Sequence, residues 1–186
     1  KTPHIALLCL DIMDMLGTQY KVMGGPSHCC GTGQLRAGDT EALARYAANT
    51  IAKLSQSKSG QVLAWCPSCV MQFSETVLPT FERATGEKTF DMTPFMHFLH
   101  GDLDRLRRHL RHRVEMKVAL HRHPGIAGAM EAAEQLLRAV PGVTVVQLDV
   151  PAVGLQSVNL AALPNFKKEL QLKELEAARA AGIDAL

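Results

Sequence analysis

Two cysteine motifs constrain this 186-residue chain more than anything else in it. The first is the glycine-rich stretch Gly25-Pro26-Ser27-His28-Cys29-Cys30-Gly31-Thr32-Gly33. The second is Trp65-Cys66-Pro67-Ser68-Cys69. Together they hold four of the five cysteines, as one adjacent pair and one Cys-x-x-Cys pair. Both sit where a loop feeds a helix. Four thiolates brought together from two such places make a soft-metal or iron–sulfur site.

Composition narrows the setting. Hydrophobic residues make up 47% of the chain, enough for a core without covalent staples. A formal charge of +2 gives no argument for nucleic acid as a partner. No stretch has the 18 or so consecutive apolar residues that would read as a membrane span. The opening Lys1-Thr2-Pro3-His4 lacks a signal-peptide pattern, and the apolar run behind it carries Asp11 and Asp14. An odd number of clustered cysteines without an export signal points to a reducing, cytoplasmic compartment, with the thiols used as ligands or in redox chemistry.

Periodicity then places the motifs. Residues 3–16 read as a buried helix, with Pro3 in its first turn and Ile5, Leu8, Cys9, Ile12 and Leu16 on one face. Tyr20-Lys21-Val22-Met23 is a short strand candidate. Asp39 or Thr40 caps a helix with Leu43, Ala47, Ile51 and Leu54 on its apolar stripe. Gln61–Trp65 is a charge-free strand that suits the centre of a parallel sheet. Cys66 lies at its carboxyl end and Cys69 begins a helix carrying Phe73, Val77 and Phe81. Sites in open α/β sheets form at such strand ends. Thr93-Pro94 reads as a cap and first turn for a helix over 95–100. Asp102 restarts a helix with Leu103, Leu106 and Leu110 inward. Its other face carries Arg105, Arg107, Arg108, Arg111 and Arg113, read as a solvated face, with a docking surface for a partner subunit as the alternative. A strand over 114–120 ends at His121-Arg122-His123-Pro124-Gly125. A helix over 129–140, with Ala133, Leu136, Leu137 and Val140 inward, is followed by the Pro141-Gly142 turn and a strand over 143–148. A last helix over 165–180 closes at Gly182, and Ile183–Leu186 starts another strand.

The order helix, glycine, strand, loop, glycine, helix, glycine, strand occurs twice. Gly17 matches Gly142, Gly31 matches Gly154 and Gly60 matches Gly182, an offset of about 123 residues. Ala152-Val153 then stand where Cys29-Cys30 stand in the first copy. The counterpart of the 114–120 strand falls before Lys1, and the counterpart of Cys66 falls past Leu186. The sequence is therefore expected to be a piece of a longer protein, with a reduced protein as the alternative. The expected fold class is α/β: two pseudo-repeated small lobes, each with a short, mainly parallel sheet flanked by helices. The first lobe spans 1–113 and keeps both cysteine pairs. The second spans 114–186 and lacks them.

The residue types suit cluster chemistry. A Cys-x-x-Cys at a helix start sits in the positive potential of unpaired N–H groups, which lowers thiol pKa. The glycines around Cys29-Cys30 allow close backbone approach and N–H donation. Adjacent cysteines diverge, so they suit separate irons of a cluster better than one tetrahedral ion.

Cys29-Cys30-Gly31 followed by Cys66-Pro67-Ser68-Cys69 resembles the cysteine-rich CCG domain family. That domain occurs, usually twice, in one of the subunits of heterodisulfide reductase. It also occurs in iron–sulfur subunits of glycolate oxidase, anaerobic glycerol-3-phosphate dehydrogenase and lactate-utilisation complexes. The framework stretch Leu137-Arg138-Ala139-Val140-Pro141-Gly142-Val143 fits as well. The resemblance implies a 4Fe–4S cluster, of a non-cubane kind in the best-understood members, held by Cys29, Cys30, Cys66 and Cys69. It implies electron transfer to or from a disulfide, a quinone or a partner flavoprotein, and other redox subunits (flavoprotein or ferredoxin-like) as partners. Two departures stand out. The family's histidine-aspartate-proline-cysteine stretch is replaced by His121-Arg122-His123-Pro124-Gly125, so the second site is expected to be lost. The upstream cysteine of the first site would fall before residue 1, and Cys9 lies too close to Cys29 to replace it.

Two other functions compete. Ala64-Trp65-Cys66-Pro67-Ser68-Cys69 at a strand-to-helix junction also fits a thiol–disulfide oxidoreductase using Cys66 and Cys69, which leaves Cys29-Cys30 without a role. A structural zinc site tying the two loops together is the non-enzymatic reading. Cys9 reads as core packing. His28 reads as a group within reach of a cluster sulfur or a substrate, or as a bystander, and His121 and His123 as relics of a lost site or loop residues, with residual metal ligands as the alternative. Trp65 reads as a packed shield beside Cys66. Met13, Met15, Met23, Met71, Met92 and Met96 read as core filler.

Overall fold

The computed structural model describes residues 3–122, 125–151, 160 and 162–186. The chain divides into two compact units, Lys1–Phe98 and Leu99–Leu186. Both are mixed helix and sheet, and each holds one two-stranded parallel sheet flanked by helices. His123, Pro124, Ala152, Val153 and Gly154, which carry the comparison with the second lobe's lost site, lie outside the described residues.

In the first unit, α1 (Pro3–Met15) is followed by an irregular stretch and the short α2 (Thr32–Arg36). α3 (Thr40–Ser55) starts where the sequence places it, because the Asp39 carboxylate accepts the Ala42 N–H at 2.9 Å. β1 (Gln61–Ala64) follows. A continuous helical stretch then runs through α4 (Pro67–Met71), a π segment (Gln72–Val77) and α5 (Leu78–Thr85). β2 (Asp91–Pro94) pairs in parallel with β1, Gln61 opposite Asp91 and Ala64 opposite Pro94. The core between α3, the long helical stretch and the sheet contains Ile51, Leu54, Phe73, Val77, Leu78 and Phe90, and the side chain of Cys30 belongs to it. Phe73 and Phe90 meet with ring centroids 6.3 Å apart.

Several sequence expectations are corrected here. Thr93-Pro94 belong to β2, and α6 (Phe95–Gly101) begins after them. Proline is tolerated there because it closes an edge strand, where no ladder N–H is demanded of it. Among the described residues β1 consequently pairs with β2 alone and is not the centre of a larger sheet. Tyr20–Met23 forms no strand. Among the described residues no backbone hydrogen bond joins these four to any strand, and four residues cannot hold an extended ladder without a neighbour. α1 forms as expected but is not buried: Met13 and Leu16 are inside, while Leu7 and Leu8 stay exposed. The Cys-x-x-Cys helix starts at Pro67, with Cys66 as its N-cap and Cys69 in the first turn. Trp65 is exposed, with its ring 6.0 Å from that of Phe95.

In the second unit, α7 (Leu103–Arg107) buries Leu103 and Leu106 and turns its arginines outward. Arg105 pairs with Asp102, Arg107 with Asp104 and Arg113 with Glu115. β3 (Met116–Ala119) pairs in parallel with β4 (Val143–Val146), both shorter than their apolar runs. α8 (Ala129–Arg138) connects them. Gly142, at φ +89°, lets the turn before β4 approach the Val114 carbonyl so closely that a Cβ would sit 2.8 Å from that oxygen. After α9 (Pro164–Ala180) the chain returns to β3. Val118 bridges Ala185, and Lys117 and Ala119 share backbone hydrogen bonds with Asp184 and Ala185. The strand expected at Ile183–Leu186 is thus present as a single bridge. β3 lies between β4 and this segment.

Candidate cysteine site

The adjacent cysteines are fixed by their neighbours in the chain. A single 3-10 turn (Pro26–His28) leads into Cys29, which is extended. Gly31 follows in the left-handed region, at φ +76°, as the N-cap of α2. A Cβ there would meet Leu43 Cδ1 at 2.7 Å. The glycine of Cys-Cys-Gly is therefore required twice, by conformation and by space. α3 clamps the loop from the other side. Thr50 Oγ1 donates to the Cys29 carbonyl at 2.9 Å, and Asn49 and Lys53 donate to the Ser27 carbonyl at 3.4 and 3.3 Å. His28 is spent within the loop, its Nδ1 2.8 Å from the Gly24 carbonyl and 3.1 Å from Ser27 Oγ.

The second pair is fixed by the junction of β1 and α4. Cys66 keeps extended geometry at the N-cap, and Pro67 occupies the first helical turn, where its missing N–H costs nothing. The Cys66 carbonyl accepts the N–H groups of Cys69 and Val70, at 3.1 and 3.2 Å. One turn on, the helix widens into its π segment, a distortion frequent at functional sites. Gln72, the first residue of that segment, is buried, and its Nε2 has no partner among the described residues.

The two pairs meet. The Cys69 side chain lies close enough to those of Cys30 and Cys66 for the three thiols to shift one another's acidity. This contact, with help from Thr32 and against the cost of burial, holds Cys30 down to about 5. The same Cys69 contact, with N–H groups of the first turn of α4, holds Cys66 down to about 6. Cys69 itself is pushed strongly upward, because its proton serves two developing thiolates and a bare Cys69 would face both. Thr32 Oγ1 lies 3.1 Å from Cys30 Sγ. Cys29 stands apart: its sulfur accepts the Gly31 N–H at 3.5 Å, and no hydrogen bond joins it to the other three among the described residues. Cys30 is 5% exposed and Cys66 is open to solvent, so the site runs from the core to the surface.

Among the described residues, no three His, Cys, Asp or Glu side chains close on one point as a preformed metal site. The donor set fits a cluster in kind, being soft, largely anionic sulfur drawn from both motifs. Cys9 is half-buried on α1, with its thiol pushed upward by burial. His121 belongs to the other unit, where its Nδ1 lies 2.6 Å from a buried Glu174 carboxylate at the end of β3. Two residues at the site escape a reading by motif, Thr32 and Thr50. Thr32 leaves a local signal, two positions after Cys30, whereas Thr50 reaches the loop through the packing of α3.

The description "cysteine-rich domain" belongs to the family whose model, CCG, matches residues 2–74, a span that holds all five cysteines and ends inside the π segment. Residues 2–74 are thus similar to the CCG cysteine-rich domain. The matched span includes both cysteine pairs, Cys29-Cys30 and Cys66/Cys69. No curated protein and no solved structure matches the chain. A CCG domain fits metal or cluster binding in its donor chemistry. No helix among the described residues is long and apolar enough to cross a membrane.

Proposed function

We propose that Cys29, Cys30, Cys66 and Cys69 hold a single iron–sulfur cluster of the 4Fe–4S type, and that the chain is an electron-transfer subunit. Its setting would be a redox complex like heterodisulfide reductases or 2-hydroxy-acid oxidases, beside a flavoprotein or ferredoxin-like partner. The observation that supports this reading is the nearness of Cys69 to both Cys30 and Cys66, which brings thiols of the two motifs together. Binding of metal would displace their protons and leave a set of thiolates from two separate motifs. A bound cluster would supply one-electron transfer. Gly31 would keep the backbone close to it, Thr32 would donate toward Cys30, and the core around Phe73 and Phe90 would exclude water from the Cys30 side.

Anaerobic reconstitution with ferrous iron and sulfide, read by metal content, labile sulfide and EPR, tests the reading. Iron and labile sulfide in equal amounts are expected, with loss of both in Cys30→Ser, Cys66→Ser and Cys69→Ser. One zinc per chain and no iron uptake would establish the structural zinc reading instead.

One observation favours a second reading. Cys66 is exposed and acidic beside a protonated Cys69, the arrangement of an attacking and a resolving thiol. Cys66 thiolate would attack a substrate disulfide and release one thiolate from it. Cys69 would then lose its proton and displace the second, leaving a Cys66–Cys69 disulfide. A reversible disulfide between these two, formed without bound iron, is the outcome that would select it.

A further inference from the structure

The first unit contains an open cleft of about 740 Å³ lined largely by apolar groups. One wall is the irregular stretch that includes Tyr20 and Val22. The other is β1, through Val62 and Leu63, with Trp65 and Phe95 beyond its end. α1 forms the floor. Both long walls are backbone edges without a strand partner among the described residues: β1 pairs only with β2, and Tyr20–Met23 pairs with nothing.

The second unit shows what fits such a space. Its order is helix α8, the Gly142 turn, β4, a connection, helix α9, Gly182 and the Ala185 bridge. The first unit runs α1, Gly17, Tyr20–Met23, the cysteine loop, α3, Gly60 and β1. On the offset of about 123 residues set by the internal repeat, Tyr20–Met23 corresponds to β4, and Val62 corresponds to Ala185. In the second unit those two segments lie on opposite sides of β3, and each hydrogen-bonds to it. In the first unit the same two segments face each other across the cleft.

The geometry points to the cleft as a strand-acceptor slot. Its occupant is an extended polypeptide strand with the chemistry of β3, alternating aliphatic side chains in parallel register between Tyr20–Met23 and β1. The backbone edges would supply the affinity, as in other cases where a strand completes an open sheet. The slot accounts for two features together: the absence of strand structure at Tyr20–Met23 and the solvent exposure of Val22 at 64%. It does not depend on what the cysteines bind.

The test is titration of the 186-residue protein with a free peptide of the sequence 114–120. Trp65 is the only tryptophan and lines the slot, so binding reads directly in its fluorescence. A saturable blue shift is expected, with amide exchange across residues 20–23 slowed at least about tenfold as those groups enter a ladder. The same peptide carrying Val118→Pro, which breaks strand pairing, should give neither. No saturable shift, or equal binding by a scrambled peptide, would overturn the proposal. So would protection of residues 20–23 in a dimer formed without peptide, which would give the slot to a second copy of the chain.

Discussion

Thr50 Oγ1 donates to the Cys29 carbonyl oxygen at 2.9 Å, from a side chain that is only 1% exposed. This bond pins the Cys-Cys loop to the middle of α3. Thr50→Val keeps the shape and removes the donor, leaving a carbonyl short of its partner. A loss of about 1–3 kcal/mol is expected in urea denaturation. Thr50→Ser, which keeps the hydroxyl, should recover most of it. A Val variant as stable as the parent would show that the loop is held otherwise.

Gly31 carries a second requirement of the same loop. Gly31→Ala places a methyl 2.7 Å from Leu43 Cδ1 at a φ of +76°. Leu43 is flexible enough to yield somewhat, so the conformational cost dominates, of order 1–3 kcal/mol. Circular dichroism melts should show a lower midpoint, and iron retention after reconstitution should fall in parallel.

The pH response of the metal-free protein follows from the thiol network. Cys66 is held down to about 6, chiefly by Cys69, so its reactive thiolate forms as pH rises through that value. Alkylation of Cys66 by iodoacetamide, followed by peptide mass spectrometry, should be half-maximal near pH 6 and fall below it. An ordinary thiol reaches that point at about 8.5. Cys69→Ala removes the shared donor, so the midpoint should move upward. A midpoint that ignores this change would mean that Cys69 is not the cause.

In the second unit, His121 and Glu174 join the end of β3 to α9 at 2.6 Å, with Glu174 buried. Removing the histidine leaves a buried carboxylate without this contact. His121→Ala should cost about 1–3 kcal/mol. Exchange protection should drop over 116–119 and 170–178 while residues 47–54 keep theirs. Uniform loss across both units would contradict a local tie.

Much of the fold is visible along the chain because its signals are local. The Asp39 cap, the stripe through Ala47, Ile51 and Leu54, and the apolar run of β1 are each written within one or two turns of their own element. Tyr20–Met23 reads as a strand for the same reason, since its composition is that of one. It is not a strand because pairing is a property of two segments, and among the described residues none pairs with it. β2 was hidden in the opposite way. Asp91-Met92-Thr93-Pro94 has poor strand composition, and only its neighbour β1 makes it one.

The site divides along the same line. The sequence by itself determined the four thiols, the glycine that must follow Cys30 and the helix start that must follow Cys66. Those depend on residue chemistry and on backbone conformation over a few positions. Only the tertiary structure decided that Cys69 lies between Cys30 and Cys66, that Cys29 stands apart, and that Thr50 holds the loop. The effect of one thiol on another's acidity acts over a few ångströms, and no spacing along the chain fixes which side chains come that close.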